Sequence, residues 1–582
     1  MMHRSPIPGE VGISFEKLDD VTGLDRLPWI FNQIKKNPEN YPLETATFIF
    51  FNVMNFKAIN QRFGFDGGNE YLRYFANELR RVFDGAILAR AGADHLTVIA
   101  FDYTNEIVID KFENLSNAML LYDKELRSHI KAGIYVSNGS DETPYQMMDH
   151  AQLACNEVRS IYNQDIAFFD EKIQQKHELR QYVLEHFEEA FEKHYFTVFY
   201  QPVVRALTGK ICGYEALARW KDPERGLISP FIFIDVLEKV HLIHKLDSQI
   251  IEQVCADLRD DIDSGYAVEP ISLNLSRLDF ELCNIKQVVD TNVAKYNVPK
   301  DYLVLEVTES ALASDSATLG NVIREFRQDG YQVWIDDFGS GYSSFNNLQV
   351  YDFDVLKIDM NFMRTFDQNP KSRIIISTIV DMAKKLHIHT LTEGVETKEQ
   401  YEFLKRIGCE LIQGYYFGKP TPIEEFQTRR AELCSFEKNE TPEESQYFDE
   451  IGRINFLDST PLHQNNMGLD ITNDIPIAII ERENREYKAL FSNKAFNKVL
   501  QSFGGTSVKH TIQLLWDQLS PDAVKHNYEL LLQAEKDKKP IEYNLILNEN
   551  KINCVVRFIA RMGKKSAYAF VAKNLSFNEN SD

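Results

Sequence analysis

Eight polar side chains in the middle of this 582-residue chain stand in or just after short apolar runs. They are five carboxylates, one asparagine, one lysine and one glutamine: Glu215, Asn274, Glu306, Asp336, Asp337, Lys357, Glu393 and Gln413. Carboxylate and amide oxygens are the ligands that hard divalent cations prefer. Crowded carboxylates repel one another, whereas two cations ~3.5–4 Å apart would neutralise them and activate water for in-line attack on phosphorus. The set therefore predicts a two-metal hydrolytic site.

The apolar runs that carry these residues have the length of β-strands, and most are followed by a helical pattern. Eight such runs occur: TVFYQ (197), ICGYEAL (211), ISLNLS (271), YLVLEVTE (302), YQVWIDD (331), DVLKID (354), HTLTEG (389) and LIQGYYF (411). Eight β/α units in about 250 residues predict a TIM-type (β/α)8 barrel. In such a barrel the carboxyl ends of the strands meet at one mouth, so we expect the polar residues to share one rim.

The length of the chain predicts three domains, because single domains rarely exceed about 250 residues. We expect an α+β domain at 1–172, the barrel at 173–430, an acidic linker or helical connector at 431–470, and a third α+β domain at 471–582. The composition, 44% hydrophobic and 26% charged, is that of a globular protein. The predicted fold class is multidomain α/β.

The net charge and the spacing of the cysteines indicate which binding partners and which cellular compartment to expect. The net charge of −23 argues against DNA or general nucleic-acid binding, which depends on lysine and arginine. No apolar run approaches the ~18 residues of a membrane span, and the N-terminus has no apolar signal core. The seven cysteines are scattered singly, which favours free thiols, no zinc site and a reducing, cytoplasmic setting.

The middle of the chain resembles the EAL family of metal-dependent phosphodiesterases. The resemblance rests on motifs that occur in the family's order between residues 190 and 422: YQPVVRALTGKICGYEALARW, SLNLS, LEVTES, IDDFGSGYSS, KID, TEGVET and QGYYFGKP. It implies hydrolysis of cyclic di-GMP to linear pGpG with two Mg²⁺ or Mn²⁺ ions. It also implies the metal ligands, which are Glu215, Asn274, Glu306, Asp336, Asp337 and Glu393.

The resemblance also implies roles in the reaction. Glu215, Asp336, Lys357 and Glu393 would be catalytic, with Lys357 contacting the attacking water or the scissile phosphate. Two alternatives stay open for the group that removes the proton from water. One is a metal-bridged hydroxide shared by Asp336 and Glu393, and the other is Glu393 as a separate general base assisted by Lys357.

Further positions are implied to bind substrate or to support the site. Arg219 would bind a phosphate of the substrate, and Gln201 would line the substrate pocket. Gln413 would order metal-bound water, and Asp337 would also contact the substrate. Glu309 and Glu396 would be supporting residues. In this family Glu309 would anchor the loop of residues 337–348, which links metal binding to dimerisation, so we expect a homodimer.

A different class of function is also compatible with this resemblance. A family member can keep its pocket and bind cyclic di-GMP without cutting it, acting as a receptor that signals through protein contacts. Such receptors usually lack one or more metal ligands. All of these positions are present in this chain, which favours the enzyme.

The first domain resembles the GGDEF family of diguanylate cyclases in DDVTGLDRLPWI, NVMNFKAINQRFGFDGGNEYL and RAGADHL. Its chemical positions depart from the family: the signature is replaced by residues 92–96 (GADHL), the first metal-binding Asp by Asn52, the guanine-reading Asp by Asn69 and a phosphate-binding Lys by Asn156. Replacing a carboxylate by an amide removes charge that Mg²⁺ needs, so we expect no cyclase activity and thus no bifunctional enzyme.

Two interpretations of this domain stay open: a dimerisation or docking scaffold, and a domain that still binds GTP and tunes the barrel. Asn60 is retained as a plausible guanine contact. The stretch from Arg81 to Asp84 has the letters of the family's inhibitory motif but ends seven residues before Gly92 instead of five, so we discount it.

The third domain resembles the start of a PAS sensory domain, in which two strands are followed by an Asn and a short helix. Here these are Asn493 and residues 495–500, and AFVAKNLS fits the close of such a domain. We expect a protein-interaction or small-ligand role. His510 or His526 as a haem ligand is a weak alternative, since a lone histidine is more often a surface residue.

Overall fold

The structure is a computed structural model that describes residues 17–122, 129–139, 142–159, 161, 164–265, 268–312, 317–339, 344–423, 425, 439–455, 476–484, 486–502, 521–547 and 550–576. The chain divides into two compact units, residues 1–185 and 186–582. Cys434, His510, residues 340–343 of the predicted loop and most of the predicted linker lie outside the described residues.

The first unit is built on a six-stranded sheet with strand order β1-β3-β4-β2-β5-β6. Its strands are β1 (Asp25–Arg26), β2 (Ala46–Val53), β3 (Ile87–Gly92), β4 (His95–Phe101), β5 (Ile130–Val136) and β6 (Ile166–Phe168). Its helices are α1 (Leu27–Lys36), α2 (Phe56–Val82, broken at Gly64), α3 (Asn105–Tyr122) and α4 (Pro144–Val158). Buried apolar clusters on both faces of β2 explain why all eight of its residues are buried. The α+β prediction is confirmed.

The second unit begins with a closed eight-stranded barrel, which confirms the predicted fold class. Its strands are β7 (Phe196–Arg205), β8 (Ile211–Asp222), β10 (Ile271–Leu275), β11 (Leu303–Thr308), β12 (Gln332–Phe338), β13 (Val355–Ile358), β14 (His389–Thr392) and β15 (Leu411–Gln413), with short additions β9 (Gly226–Ile228) and β16 (Thr421–Pro422). One strand departs from a fully parallel barrel: β7 is antiparallel to both β8 and β15. A tight turn joins β7 to β8, and such a turn can connect only antiparallel strands.

Helices cover the outside of the barrel. They are α6 (Pro230–Lys239), α7 (Ile243–Asp263), α8 (Arg277–Leu282), α9 (Ile285–Tyr296), α10 (Glu309–Leu312), α11 (Ala317–Gln328), α12 (Ser344–Val350), α13 (Met360–Arg364), α14 (Pro370–Lys385) and α15 (Lys398–Ile407). The helix before them, α5 (Glu171–Glu192), crosses the boundary between the two units. Among the helices within the described ranges, none combines the length and apolar character needed to cross a membrane.

The side chains inside the barrel form layers, because side chains along each strand alternate between the inside and the outside of the barrel. A buried apolar layer contains Val203, Val304, Trp334, Val355, Leu391 and Leu411. Because successive side chains of a strand alternate in direction, residues two positions along point the same way. In β11, β13 and β15 the residues two positions further on are Glu306, Lys357 and Gln413. A polar layer therefore lies directly above the apolar one.

The opposite, amino-terminal end of the barrel is held by helix α16 (Pro442–Gly452), which lies within the predicted linker. Arg205 at the end of β7 is 3% exposed and pairs with Glu440 (Nη2–Oε2 3.0 Å) and with Asp449 (Nη1–Oδ1 2.6 Å). The ammonium of Lys384 pairs with Glu410 and donates to the carbonyl of Gly452. The composition of this stretch predicted surface residues, but Glu440 is buried against Arg205, while Asp449 stays partly exposed.

The C-terminal part of the second unit is a five-stranded antiparallel sheet with order β18-β17-β21-β20-β19. Its elements are β17 (Ile477–Glu483), β18 (Glu486–Ser492), α17 (Lys494–Ser502), α18 (Pro521–Asp537), β19 (Ile541–Leu547), β20 (Asn550–Met562) and β21 (Lys565–Ser576). One face packs under α17 and α18. The other face packs against Tyr447, Phe448 and Ile451 of α16, so this helix joins the sheet to the barrel.

Candidate functional site

Lys357 is the centre of the polar layer. It lies on β13, is fully buried, and its Nζ is close to four carboxylates from four other strands or strand ends. The distances are 2.6 Å to Glu306 Oε2, 2.7 Å to Glu393 Oε1, 3.2 Å to Asp336 Oδ1 and 3.5 Å to Glu215 Oε1. One ammonium cannot balance four ionised carboxylates, so the metal-free site must bind protons or a further cation.

Glu215 is held by two amides. Asn274 Nδ2 donates to its Oε1 at 2.8 Å, and Gln413 Nε2 donates to its Oε2 at 2.6 Å. Gln413 Nε2 also lies 3.1 Å from Gln201 Oε1, and Gln201 donates to the carbonyl of Gly418. These contacts join β7, β8, β10 and β15, so four predicted residues from separate stretches of sequence lie together.

Asp336 and Asp337 are neighbours in sequence, yet both contribute to the site. A strand would send them to opposite sides. The register of β12 against β13 shifts between Ile335 and Phe338, and Asp337 adopts a left-handed backbone conformation, with φ +56°. Such a conformation is uncommon for a residue other than glycine and is found often at functional sites. Ligand oxygens of Asp336, Asp337 and Glu393 all lie within 4.8 Å of one another.

Asp359 belongs to this group but was not singled out from the sequence. It is buried, and its carboxyl group hydrogen bonds with that of Asp337. It follows Lys357 by two positions, and this spacing was the available signal.

Crowding and burial shift the pKa values of these groups in the metal-free chain. Burial raises the pKa of Glu393 to about 8. Repulsion from Asp336 raises this pKa further, and attraction to Lys357 lowers it in part. Burial and the neighbours Asp336 and Asp359 raise the pKa of Asp337 to about 7. Glu215 differs: the charge of Lys357 and the amide donors outweigh burial and lower its pKa.

The residues present fit divalent cations. Within the described chain, Glu306 Oε1 and Gln413 Oε1 are buried acceptors with no hydrogen-bond donor. Buried acceptors normally have a partner, so these two atoms are open to a cation or to its bound water. Together with the Asp336, Asp337 and Glu393 oxygens they form an all-oxygen set, which suits Mg²⁺ or Mn²⁺ better than softer metals.

The remaining predicted residues lie around this centre in different ways. The guanidinium of Arg219 lies over the ring of Phe199, 5.4 Å from its centroid, and burial lowers its pKa. Glu309 Oε2 accepts the backbone N–H of Gly339 at 2.8 Å, next to Asp337. Glu396 is exposed just before α15, and no described contact joins its carboxylate to the site.

In the first unit, two of the substituted cyclase positions meet. His95 Nε2 lies 3.1 Å from Asn52 Oδ1, and burial lowers the pKa of His95, so the pair is neutral near pH 7. Asn69 lies half-buried on α2, and Asn156 lies exposed on α4. This edge therefore carries an amide and an imidazole where the cyclase pattern has carboxylates.

In the C-terminal sheet, Asn493 performs a capping role. Its Oδ1 accepts the N–H groups of Ile477 (3.1 Å) and Phe496 (2.8 Å), which ties the start of α17 to β17. His526 is exposed on α18, as expected for a surface histidine.

Two known families match separate parts of the chain. Residues 184–420 match the EAL domain family, and residues 16–164 match the family described as diguanylate cyclase, GGDEF domain.

Two curated relatives from Pseudomonas aeruginosa extend over both regions. The bifunctional diguanylate cyclase/cyclic di-GMP phosphodiesterase MucR is 29% identical over 418 residues, covering 69% of this chain and 58% of MucR. The cyclic di-GMP phosphodiesterase NbdA is 28% identical over 423 residues, covering 70% of this chain and 53% of NbdA. The chain thus spans a little over half the length of these relatives.

Among solved structures, the S helix-GGDEF-EAL portion of Vibrio cholerae LapD, bound to c-di-GMP, has a TM-score of 0.50 and 17% identity, covering 69% of this chain and 95% of that structure. At this identity the likeness concerns the fold alone. Together with the barrel, its acidic layer and the two family matches, it supports one assignment. The chain carries a GGDEF domain followed by an EAL domain, and it is homologous to cyclic di-GMP phosphodiesterases.

Proposed function

We propose that the EAL domain hydrolyses cyclic di-GMP to linear pGpG with two Mg²⁺ or Mn²⁺ ions. The observation that carries this proposal is the complete acidic layer around Lys357, in which no position of the family's ligand set is replaced. The ions would be held by Glu215, Asn274, Glu306, Asp336, Asp337 and Glu393. When bound, they would neutralise phosphate charge and make water a nucleophile at neutral pH.

The chain's own residues would then position the substrate and move one proton. Arg219 would hold a phosphate of the ring while Gln201 and Gln413 line the pocket. Glu393 is the residue we propose to take the proton from the attacking water, because its carboxylate lies at the cluster edge, 2.7 Å from Lys357. Lys357 would keep that carboxylate oriented and stabilise negative charge that develops on the phosphate.

A hydrolysis assay tests the proposal. The purified chain is incubated with cyclic di-GMP and Mn²⁺, and linear product is measured by chromatography, with EDTA as the control. We expect product only in the presence of metal. Binding of the dinucleotide without any product would overturn the proposal and favour the non-catalytic receptor.

The metal affinity should depend on pH, with a defined sign. The pKa values of Asp337 (about 7) and Glu393 (about 8) are raised in the metal-free fold. Such groups contribute stability below their unfolded pKa of about 4, and this contribution is lost as pH rises through about 7 to 8. Cations must displace these protons at low pH. We therefore expect the Mg²⁺ concentration for half-maximal thermal stabilisation to fall by roughly tenfold from pH 6 to pH 8.

Asp337→Asn serves as the matched variant for that titration, because it removes one of the two protonating groups at nearly the same size. Its Mg²⁺ midpoint should be higher and should vary less with pH. An unchanged pH dependence would mean that protons on other groups control metal binding.

The GGDEF domain should have no cyclase activity. A neutral Asn52–His95 pair supplies no charge for Mg²⁺ at this edge. We expect no cyclic di-GMP from GTP and Mg²⁺, in the wild type or in Asn52→Asp, which restores one carboxylate beside an unchanged His95. A cyclic product above the no-protein background would contradict this expectation.

GTP remains a candidate ligand of this domain, and a scaffold is the alternative. Calorimetric titration with GTP, followed by the barrel's hydrolysis rate, separates the two. Heat of binding with a changed rate supports GTP regulation, whereas neither signal supports the scaffold.

We infer that the PAS-like domain acts on the barrel through α16. The ion pairs at Arg205 and at Glu410 lie at the carboxyl end of β7 and the amino end of β15, which meet because the two strands are antiparallel. The same strands carry Gln201 and Gln413 in the polar layer. We also propose a homodimer whose interface involves residues 337–348, tied to the site by Glu309.

A further inference from the structure

Arg482 is a buried cation in the C-terminal domain, on β17, with 6% of its surface exposed. Its guanidinium hydrogen bonds with Tyr528, but its Nε has no hydrogen-bond partner within the described part of the chain. Burying a charge without a counter-charge is expensive, and buried arginines are normally paired. This residue therefore needs an explanation.

The nearby carboxylates are engaged elsewhere. Glu481 precedes Arg482 in the strand and points to the opposite face, where it contacts Lys565 at 3.8 Å and lies beside Tyr447. Glu535 on α18 pairs with Arg561 at 2.7 Å and accepts from Tyr568. Across the described ranges, no ion pair joins Arg482 to a carboxylate.

A second buried donor lies beside Arg482. Arg482 is directly opposite Ser566 of β21 in the sheet, so their side chains share one face. Ser566 is 1% exposed and its side chain lies beside Tyr568, but within the described chain its Oγ has no partner at hydrogen-bond distance. Arg482 Nε and Ser566 Oγ, on one face of two paired strands, together offer donors to the oxygens of an anion.

Two tyrosines lie beside this position. Tyr487 is opposite Arg482 on the other side, and the guanidinium lies 4.8 Å from the ring centroid of Tyr528. Tyr528 is 40% exposed, and β17 ends one residue after Arg482. The position therefore lies near the end of β17, under α18 and beside a partly exposed tyrosine.

We propose that Arg482 and Ser566 form a binding site for a small oxyanion, a carboxylate or phosphate group, in the C-terminal domain. Guanidinium groups recognise both through paired N–H donors. The anion would supply the missing counter-charge and would accept from the Ser566 hydroxyl. This site is independent of the barrel and of its proposed activity.

Thermal unfolding of the full-length chain tests this site. The probes are inorganic phosphate and succinate, added to chloride buffers of equal ionic strength that contain EDTA. We expect at least one probe to raise the unfolding temperature saturably by a few degrees, because a ligand that binds only the folded state stabilises it. The absence of a saturable rise with either probe would overturn the proposal.

Arg482→Met separates a ligand site from a structural arginine. If Arg482 is part of an anion site, this variant should be at least as stable as the wild type in chloride. It should also lose the rise in unfolding temperature that the probe causes. A variant less stable than the wild type in chloride, or one that keeps the full response, would overturn the proposal. Arg557→Met, on the opposite face of the same sheet, is the matched control and should keep the response.

Ser566→Ala provides a second measurement that does not remove the cation. Loss of one hydrogen bond to a bound anion should raise the half-maximal probe concentration about tenfold. An unchanged midpoint would exclude Ser566 from the site and overturn the proposal in this form.

Discussion

Glu215→Ala is expected to abolish hydrolysis of cyclic di-GMP. The variant removes a proposed metal ligand that also accepts hydrogen bonds from Asn274 and Gln413, so both amides lose their partner. We expect the rate to fall by roughly 10³-fold or more, equivalent to ~4 kcal/mol of transition-state stabilisation. The measurement is linear product formed per unit time at saturating Mn²⁺.

The control for this prediction is Glu252→Ala. Glu252 lies on α7, away from the barrel mouth, and contacts Lys295 at 2.6 Å on the surface. Its removal should leave the rate within about twofold, since surface ion pairs contribute little. A Glu215→Ala enzyme as fast as this control would mean that the metal site has been assigned to the wrong residues.

Lys357→Met is expected to have the second large effect, on stability as well as on activity. Removing the ammonium leaves Glu215, Glu306, Asp336 and Glu393 buried or half-buried without their shared counter-ion. Breaking a buried ion pair from one side typically costs about 3–5 kcal/mol. We expect a loss of this size in urea unfolding in the presence of EDTA, and no detectable hydrolysis.

The loss of stability in Lys357→Met should respond to metal and to pH. Mg²⁺ should restore part of it, because a cation can replace the missing positive charge. It should be smaller at pH 5 than at pH 8, because carboxylates freed from Lys357 can bind protons instead.

Lys385→Met is the matched control for Lys357→Met. It removes a lysine from an exposed pair with Asp381 on α14 and should change stability by no more than about 1 kcal/mol. If Lys357→Met were as stable as this control in EDTA, the ammonium would not be the counter-ion of the layer.

Much of the barrel could be predicted from the sequence because strand periodicity and the motifs are local signals. All eight predicted runs form barrel strands, and Glu306, Lys357 and Gln413 lie two positions after buried apolar residues, as alternation requires. The antiparallel direction of β7 was not predicted, because the apolar pattern of a strand carries no information about its direction.

The packing of α16 against the barrel could not be predicted from the sequence either. Residues 431–470 are acidic and polar, and such composition is typical of a solvated connector. Glu440 is nevertheless buried against Arg205, about 235 positions away in the chain. Only long-range packing shows that a charged residue has a buried partner.

The sequence by itself determined the order of strands and helices, the acidic side chains at the strand ends and the amide at Asn52, since these depend on residue types and short spacings. The tertiary structure decided which charges share space. It placed Lys357 among four carboxylates, turned Asp337 toward Asp336 through a shift in register, and left Arg482 Nε without a hydrogen-bond partner among the described residues. The physical reason is that electrostatic energy depends on distances of a few ångströms between residues far apart in the chain, and folding sets those distances.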